Sequence, residues 1–190
     1  TACCSIRSRR AIVVHTKQIQ KITRIFSRKN MYGHTRNHIQ SPIGVITIEL
    51  IDDVLTYVNF GKIGEATPGR PSRGVAAEAA RQLKAYFAGK LQEFDLPLHA
   101  EGTPFRKRVW QALYEVPYGQ TRSYGEIART VDSAPRAVGG ACGANPIAVI
   151  IPCHRIVGAN GWVGGFSGGN GCATKSQLLE LETPQSRFAV

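Results

Sequence analysis

SYGEIARTVDSAPRAVGGACGANPIAVIIPCHRI, residues 123–156, decides the architecture of the second half of the chain and carries its chemistry. Ser123 and Glu126 have the S-x-x-E spacing of a capping box, in which each side chain satisfies a backbone N–H at the other end. A short helix is therefore expected through Val131. Ser133-Ala134-Pro135 restarts a helix over RAVGGACGAN, and Asn145-Pro146 stops it. Two short helices joined by about four residues read as a helix-turn-helix. Gly139, Gly140 and Gly143 each disfavour the second helix by about 1 kcal/mol against alanine. They either pack tightly on a neighbouring helix or admit another backbone, such as DNA, and the sequence leaves both readings open.

Ile147 to Ile151 is a continuous apolar run, expected as a fully buried strand or segment. It delivers Pro152-Cys153-His154-Arg155 to a glycine-rich loop, GANGWVGGFSGG. A free thiol with a pKa of about 8.5 is only a few per cent thiolate at neutral pH, and nearby positive charge raises that fraction. Cys153 is thus either a packed core cysteine or an activated nucleophile. Neighbouring side chains of an extended backbone point to opposite faces, so His154 reaches Cys153 only through a turn or a bridging water.

Outward from this stretch, Thr103-Pro104 is a helix start, a hydroxyl N-cap followed by proline at the first helical position. That helix is expected to run to Val116 with Phe105, Val109, Trp110, Leu113 and Val116 buried. Further upstream, SPIGVITIEL (41–50) alternates as a strand, Asp52-Asp53 makes a turn, and VLTYVNF (54–60) is its hairpin partner. Residues 64–74 form a Gly/Pro-rich loop. Val75 to Ala88 is a helix with Ala79, Leu83 and Tyr86/Phe87 on one face, ended by Gly89. The expected fold class is α/β of the α+β kind. A small N-terminal α/β domain with an antiparallel hairpin (35–97) precedes a mainly helical C-terminal domain with the helix-turn-helix (98–184). Residues 1–34 read as a basic extension, poorly ordered or not native, with Met31 a candidate start; residues 185–190 are a tail.

The net charge of +11 is unevenly spread: residues 1–40 hold nine Lys or Arg and no acid, the rest fifteen against thirteen. The charge argument for nucleic acid is therefore weak for the folded part, although a basic arm adds sequence-independent phosphate affinity. No apolar run approaches the roughly 20 residues of a membrane span. Five irregularly spaced cysteines exclude a disulfide-stapled secreted scaffold and fit an intracellular, reducing compartment, cytoplasmic or nuclear.

NPIAVIIPCHRI (145–156) closely resembles the signature of the O6-alkylguanine-DNA alkyltransferases, whose core is a proline-cysteine-histidine-arginine run. The resemblance extends through SYGEIA (123–128), PRAVGGA (135–141), F-x-x-x-V-W (105–110), FSGG (166–169) and K-x-x-LL-x-x-E (175–182), covering residues 41 to 182. It implies a DNA repair protein that moves an alkyl group from O6 of guanine onto Cys153, once and irreversibly. His154 would take the thiol proton through a water, Glu182 would hold that histidine charged and oriented, and Asn145 would fix the turn before the cysteine.

The same resemblance assigns Tyr124 as a donor near the base and Ser167 to the pocket. Arg136 would enter the base stack in place of the flipped nucleotide, and Ala137, Gly139 and Gly140 would lie against the minor groove. The implied partner is double-stranded DNA containing O6-alkylguanine, bound by a monomer without cofactor, metal or membrane. Two rivals are a non-catalytic lesion-recognition protein, which Cys153 argues against, and a helix-turn-helix regulator, which would need more base-reading side chains than Arg136. A third, a cysteine hydrolase, would turn over many times.

Departures from the family pattern are the five residues NGCAT (170–174) where three are usual, and Thr174 where a basic residue is common. Glu182 is placed by the K-x-x-LL frame, with Glu180 the alternative. Cys3, Cys4, His15, His34 and His38 do not match a zinc ligand set.

Overall fold

A computed structural model of the chain describes residues 33–67 and 73–183. Most of the expected basic extension, with Cys3, Cys4 and His15, and the expected tail lie outside the described residues. Among those described, no helix is long and apolar enough to cross a membrane.

The N-terminal half is an antiparallel sheet of β1 (His34–Ser41), β2 (Gly44–Ile51) and β3 (Val54–Phe60), in that spatial order. In β2, Ile46, Ile48 and Leu50 alternate into the core. The β2–β3 turn has Asp52 and Asp53 both at positive φ, 49° and 60°. A two-residue hairpin that matches strand twist requires this conformation, and Oδ1 of Asp52 also accepts the Gly33 N–H at 2.9 Å. Helix α1 (Gly74–Phe87) buries Ala76, Ala79, Leu83 and Tyr86. Gly89, at φ 68°, ends it by donating its N–H to the Tyr86 carbonyl at 2.9 Å.

Strand β1 was not legible as a strand, because HTRNHIQS carries a single buried apolar side chain, Ile39. It is an edge strand, and its register comes from backbone pairing with β2 rather than from a hydrophobic face. SPIG is correspondingly a turn and not the start of β2: the Ser41 hydroxyl donates to the Gly44 carbonyl at 2.6 Å.

In the C-terminal half, α2 (Pro104–Tyr114) is capped by Thr103, whose hydroxyl accepts the Arg106 N–H at 3.3 Å. Both hydrogen bonds of the Ser123/Glu126 capping box open α3 (Tyr124–Thr130). Residues 131–134 lead into α4 (Pro135–Gly143), with Val138, Ala141 and Cys142 buried. Short strands β4 (Arg122–Ser123) and β5 (Ile156–Val157) pair in parallel, and α5 (Cys172–Glu182) closes the fold. The fold class is α+β, as expected.

Ile147–Ile151 is buried but is not a strand. Ile147 makes one bridge to Val58, the chain then coils, and Val149 sits at φ 71°. A β-branched residue there carries strain of about 1–3 kcal/mol, held by its surroundings.

A buried polar contact fixes the helix-turn-helix to α2: Trp110 Nε1–H donates to the Ala141 carbonyl at 2.8 Å. Replacing Trp110 by Phe leaves that carbonyl unsatisfied and is expected to cost about 1–3 kcal/mol. The urea midpoint should fall accordingly, and an unchanged midpoint would show that the contact does not anchor α4.

Candidate functional site

The apolar run ends in a 3-10 turn, Cys153–Arg155, with all three side chains buried. Cys153 and His154 are thus consecutive residues of a turn rather than of an extended strand. Asn145 shapes the approach to it. Its side-chain Nδ2–H donates to the Ile151 carbonyl at 2.8 Å and to Cys153 Sγ at 3.4 Å, while Oδ1 accepts the Ile147 N–H at 3.0 Å. Asn145 thereby gives partners to the Ile147 N–H and the Ile151 carbonyl at the two ends of the buried segment.

Glu182, at the end of α5, is the focus of the site. Oε1 accepts from His154 Nε2 at 2.9 Å, from the Tyr86 hydroxyl at 2.8 Å and from Arg155 Nη2 at 2.9 Å. Oε2 accepts from Arg155 Nε at 2.9 Å and from the Gly119 N–H at 3.1 Å. Arg155 also donates Nη1–H to the Val116 carbonyl at 2.6 Å. Glu180 is exposed on the other face of the helix, so of the two carboxylates only Glu182 reaches His154.

Burial alone would raise the Glu182 carboxyl, but the hydrogen bonds and charges of His154 and Arg155 outweigh it and hold the group below the usual carboxylate range. His154 moves down: burial dominates, aided by Arg155 and Lys175, over the upward pull of Glu182. Since Arg155 already balances the carboxylate, the imidazole does not need to carry charge. This differs from the expectation of a charged histidine. Burial disfavours the charged form of His154, Glu182 orients it through Nε2, and its buried Nδ1 has no hydrogen-bond partner among the described residues. Burial pushes the Cys153 thiol up, against the Asn145 hydrogen bond and Lys175. The resting proton thus stays on sulfur.

Cys153 lines a cavity with Asn145, Cys142, Ser167 and Gly165, and β3 contributes Asn59 and Phe60. Tyr124 stands nearby, its hydroxyl donating to the Gly164 carbonyl at 3.4 Å, and burial raises its pKa so that it remains a donor. Lys175 is fully buried and donates to the Ile156 carbonyl at 2.5 Å and the Gly164 carbonyl at 2.8 Å, tying the glycine-rich loop to β5.

On α4, Arg136, Ala137 and Gly140 are exposed, while Gly139 is half-buried beside Tyr124. A Cβ added at Gly140 or Gly143 would meet nothing within 4 Å. Packing on a neighbouring helix therefore does not explain those two glycines. The longer NGCAT stretch is absorbed at the start of α5, where the buried Thr174 hydroxyl accepts the Asn170 N–H at 2.9 Å. Among the described residues, no group of three His, Cys, Asp or Glu is placed to hold a metal.

Tyr86, Lys175 and Gly119 are given no site role by the sequence, and Arg155 is expected there only as a positive charge beside the thiol. The weak signals were a tyrosine on a helix face where phenylalanine would pack, and the basic residues of the PCHR and K-x-x-LL motifs.

Fold and site together define an α+β protein that sets a helix-turn-helix with a bare outer face beside a buried Cys–His–Glu constellation. Residues 34–100 match the profile of the 6-O-methylguanine DNA methyltransferase ribonuclease-like domain, and residues 104–184 that of the DNA binding domain of the same enzymes. The chain belongs to the 6-O-methylguanine DNA methyltransferase family. It is 49% identical over 150 residues to a methylated-DNA–protein-cysteine methyltransferase of Methanosarcina acetivorans, covering 75% of this chain and 94% of the relative. The Mycobacterium leprae protein of the same name is 48% identical over 159 residues, 80% of this chain and 93% of the relative. The crystal structure of Mycobacterium tuberculosis O6-methylguanine methyltransferase superposes with a TM-score of 0.71 at 45% identity, covering 82% of this chain and 96% of that one. The M. tuberculosis protein in complex with DNA gives 0.69 at 46% identity, over 80% and 94%.

The ionised Glu182 makes stability pH-dependent. Its folded pKa lies below the unfolded value of about 4.3. Its contribution is therefore complete above that value and is lost as the pH falls through the folded pKa. Glu182→Gln leaves Arg155 a buried, unbalanced cation and should cost about 3–5 kcal/mol at neutral pH. Urea titrations should show the gap between wild type and variant narrowing below about pH 4; a gap independent of pH would contradict the buried pair.

Proposed function

We propose that this chain repairs DNA by transferring a methyl or other alkyl group from O6 of guanine to the thiol of its own Cys153, each chain acting once. The observation that carries this reading is a cavity-lining thiol in the same 3-10 turn as a Glu182-oriented histidine whose buried Nδ1 has no hydrogen-bond partner among the described residues.

His154 acts as the base: the Sγ proton passes through a water to Nδ1, and Glu182 steadies the imidazolium as it forms. The thiolate of Cys153 attacks the alkyl carbon, an S–C bond forms, and the C–O6 bond breaks with its electron pair going to guanine. The Tyr124 hydroxyl, kept protonated by burial, meets the charge developing on the base. Asn145 holds the turn that presents sulfur, and Ser167 forms part of the pocket wall. The product is a thioether, which has no route back to the thiol, so reaction stops at one equivalent.

O6 lies inside the duplex, so the nucleotide must be flipped out, at a cost of a few kcal/mol. We assign Arg136 to the space it leaves and the face formed by Ala137, Gly139 and Gly140 to the minor groove, where small side chains permit close approach. The free Cys142, Cys153 and Cys172 support a reducing, intracellular setting.

Peptide mass spectrometry after mixing with a duplex carrying O6-methylguanine should show one methylene gained on the Cys153 peptide, saturating at one per chain. Cys153→Ala should abolish transfer and retain DNA binding; residual transfer would sink the assignment. A wild-type chain that binds the lesion duplex without gaining mass would instead be a recognition protein. Arg136→Ala should slow transfer from duplex at least tenfold more than reaction with free O6-benzylguanine, as expected when about 1.4 kcal/mol or more of flipping support is lost. Equal losses on the two substrates would refute its role in the stack.

A further inference from the structure

One donor to Glu182 comes from the N-terminal half of the chain. Tyr86, in the last turn of α1, is 96 residues from Glu182 and 68 from His154 in sequence. Its ring is fully buried, edge-on to Phe87 and Tyr118 and tilted against Phe94. Phenylalanine would fill that space without a polar group to satisfy, so the ring packing does not account for the hydroxyl. The hydroxyl itself lies 2.8 Å from Oε1 of Glu182 and 3.4 Å from Nε2 of His154. Oε1 is the same oxygen that accepts the His154 N–H.

We propose that Tyr86 is a positioning residue for the alkyl transfer, its hydroxyl donating to Oε1 of Glu182 so that the carboxylate orients His154 without drawing a proton onto it, which leaves Nδ1 free for the thiol proton. The proposal rests on His154 being the base for Cys153. Each hydrogen bond donated to a carboxylate stabilises its anion and lowers its basicity, and a less basic carboxylate stabilises an imidazolium less. Without the Tyr86 hydroxyl, Glu182 would hold His154 protonated to higher pH, where it cannot act as a base.

The other charged groups acting on the imidazole are Arg155 beside it and Lys175 from α5. Arg155 also stacks on the Tyr118 ring, 5.8 Å from its centre. Arg155 and Lys175 oppose a proton on His154, and Glu182 favours one. Tyr86 stays protonated throughout, because burial and the Glu182 charge both raise it. The acid limb of the reaction therefore reports His154.

The test is the single-turnover rate of transfer from a saturating O6-methylguanine duplex, measured from mildly acidic to mildly alkaline pH, with the label located on Cys153. The wild-type chain should show an acid limb, and Tyr86→Phe should move that limb up by about half a pH unit or more. The alkaline plateau should change by no more than a few fold. A uniformly lower rate with an unmoved limb would mean that Tyr86 only packs, and the proposal fails. Tyr118→Phe, which removes a neighbouring hydroxyl that donates to the Leu181 carbonyl, should leave the limb in place; an equal displacement would also overturn the proposal.

If Tyr86→Phe does not fold, a chain with all tyrosines replaced by 3-fluorotyrosine keeps the ring and strengthens the donor. Its limb should move down, and a limb that stays or rises overturns the proposal. A wild-type profile without an acid limb, or label on another cysteine, would instead overturn the His154–Cys153 assignment beneath it.

Discussion

The buried carboxylate of Glu182 is the constraint on which the rest of the site depends. An anion removed from water costs several kcal/mol unless its oxygens are occupied. Here donors arrive from α1 (Tyr86), from the turn after α2 (Gly119) and from the 3-10 turn (His154 and Arg155). Arg155 passes the connection on to the Val116 carbonyl. Helix α5, the cysteine turn and both halves of the chain are therefore registered against one another by a single side chain. Each donor lost leaves the buried carboxylate less fully compensated.

This arrangement also sets the chemistry. Burial pushes the Cys153 thiol up and His154 down, so the pair rests as thiol and neutral imidazole rather than as an ion pair. A standing thiolate would be exposed to every soft electrophile that reached the cavity. A neutral thiol beside an oriented acceptor reacts when an alkylated base brings its electrophilic carbon and its leaving group together. Because each chain reacts only once, restraint before the substrate arrives matters more than resting nucleophilicity. That restraint is built from burial and from Arg155, which balances Glu182 without charging the imidazole.

Where local chemistry fixes local structure, the sequence was readable. The capping box at Ser123/Glu126, the Thr103-Pro104 start, the Asp52-Asp53 turn and the Gly89 stop stand where their residue types place them. Strand β1 was not readable, because an edge strand with one buried apolar side chain has no period to detect. The coil at 147–151 reads as a possible strand because five apolar residues signal burial but not conformation; its backbone bonds go to Asn145, to Val58 and within the run itself. Cys153, His154 and Glu182 followed from motif resemblance. Tyr86 did not, since its partner lies 96 residues away and nothing local distinguishes a core tyrosine from one that donates to a carboxylate.

The glycines of α4 settle a question that composition left even. At about 1 kcal/mol each against alanine, Gly140 and Gly143 weaken a nine-residue helix that has no side-chain N-cap hydrogen bond. Alanine at either position would meet open space and no neighbouring atom, so the folded chain alone gives no reason to keep them bare. Gly139 differs, since its added Cβ would come within 3.9 Å of Tyr124, in ordinary contact. The missing side chains lie on the outward face with Arg136 and Ala137, the face assigned to the minor groove in the proposed function. A surface that carries one long cation and otherwise only hydrogen or methyl groups suits a partner that must come close along its backbone and leave one gap to be filled. On the proposed function, the helix gives up stability at Gly140 and Gly143 so that its outer face suits the partner rather than the fold.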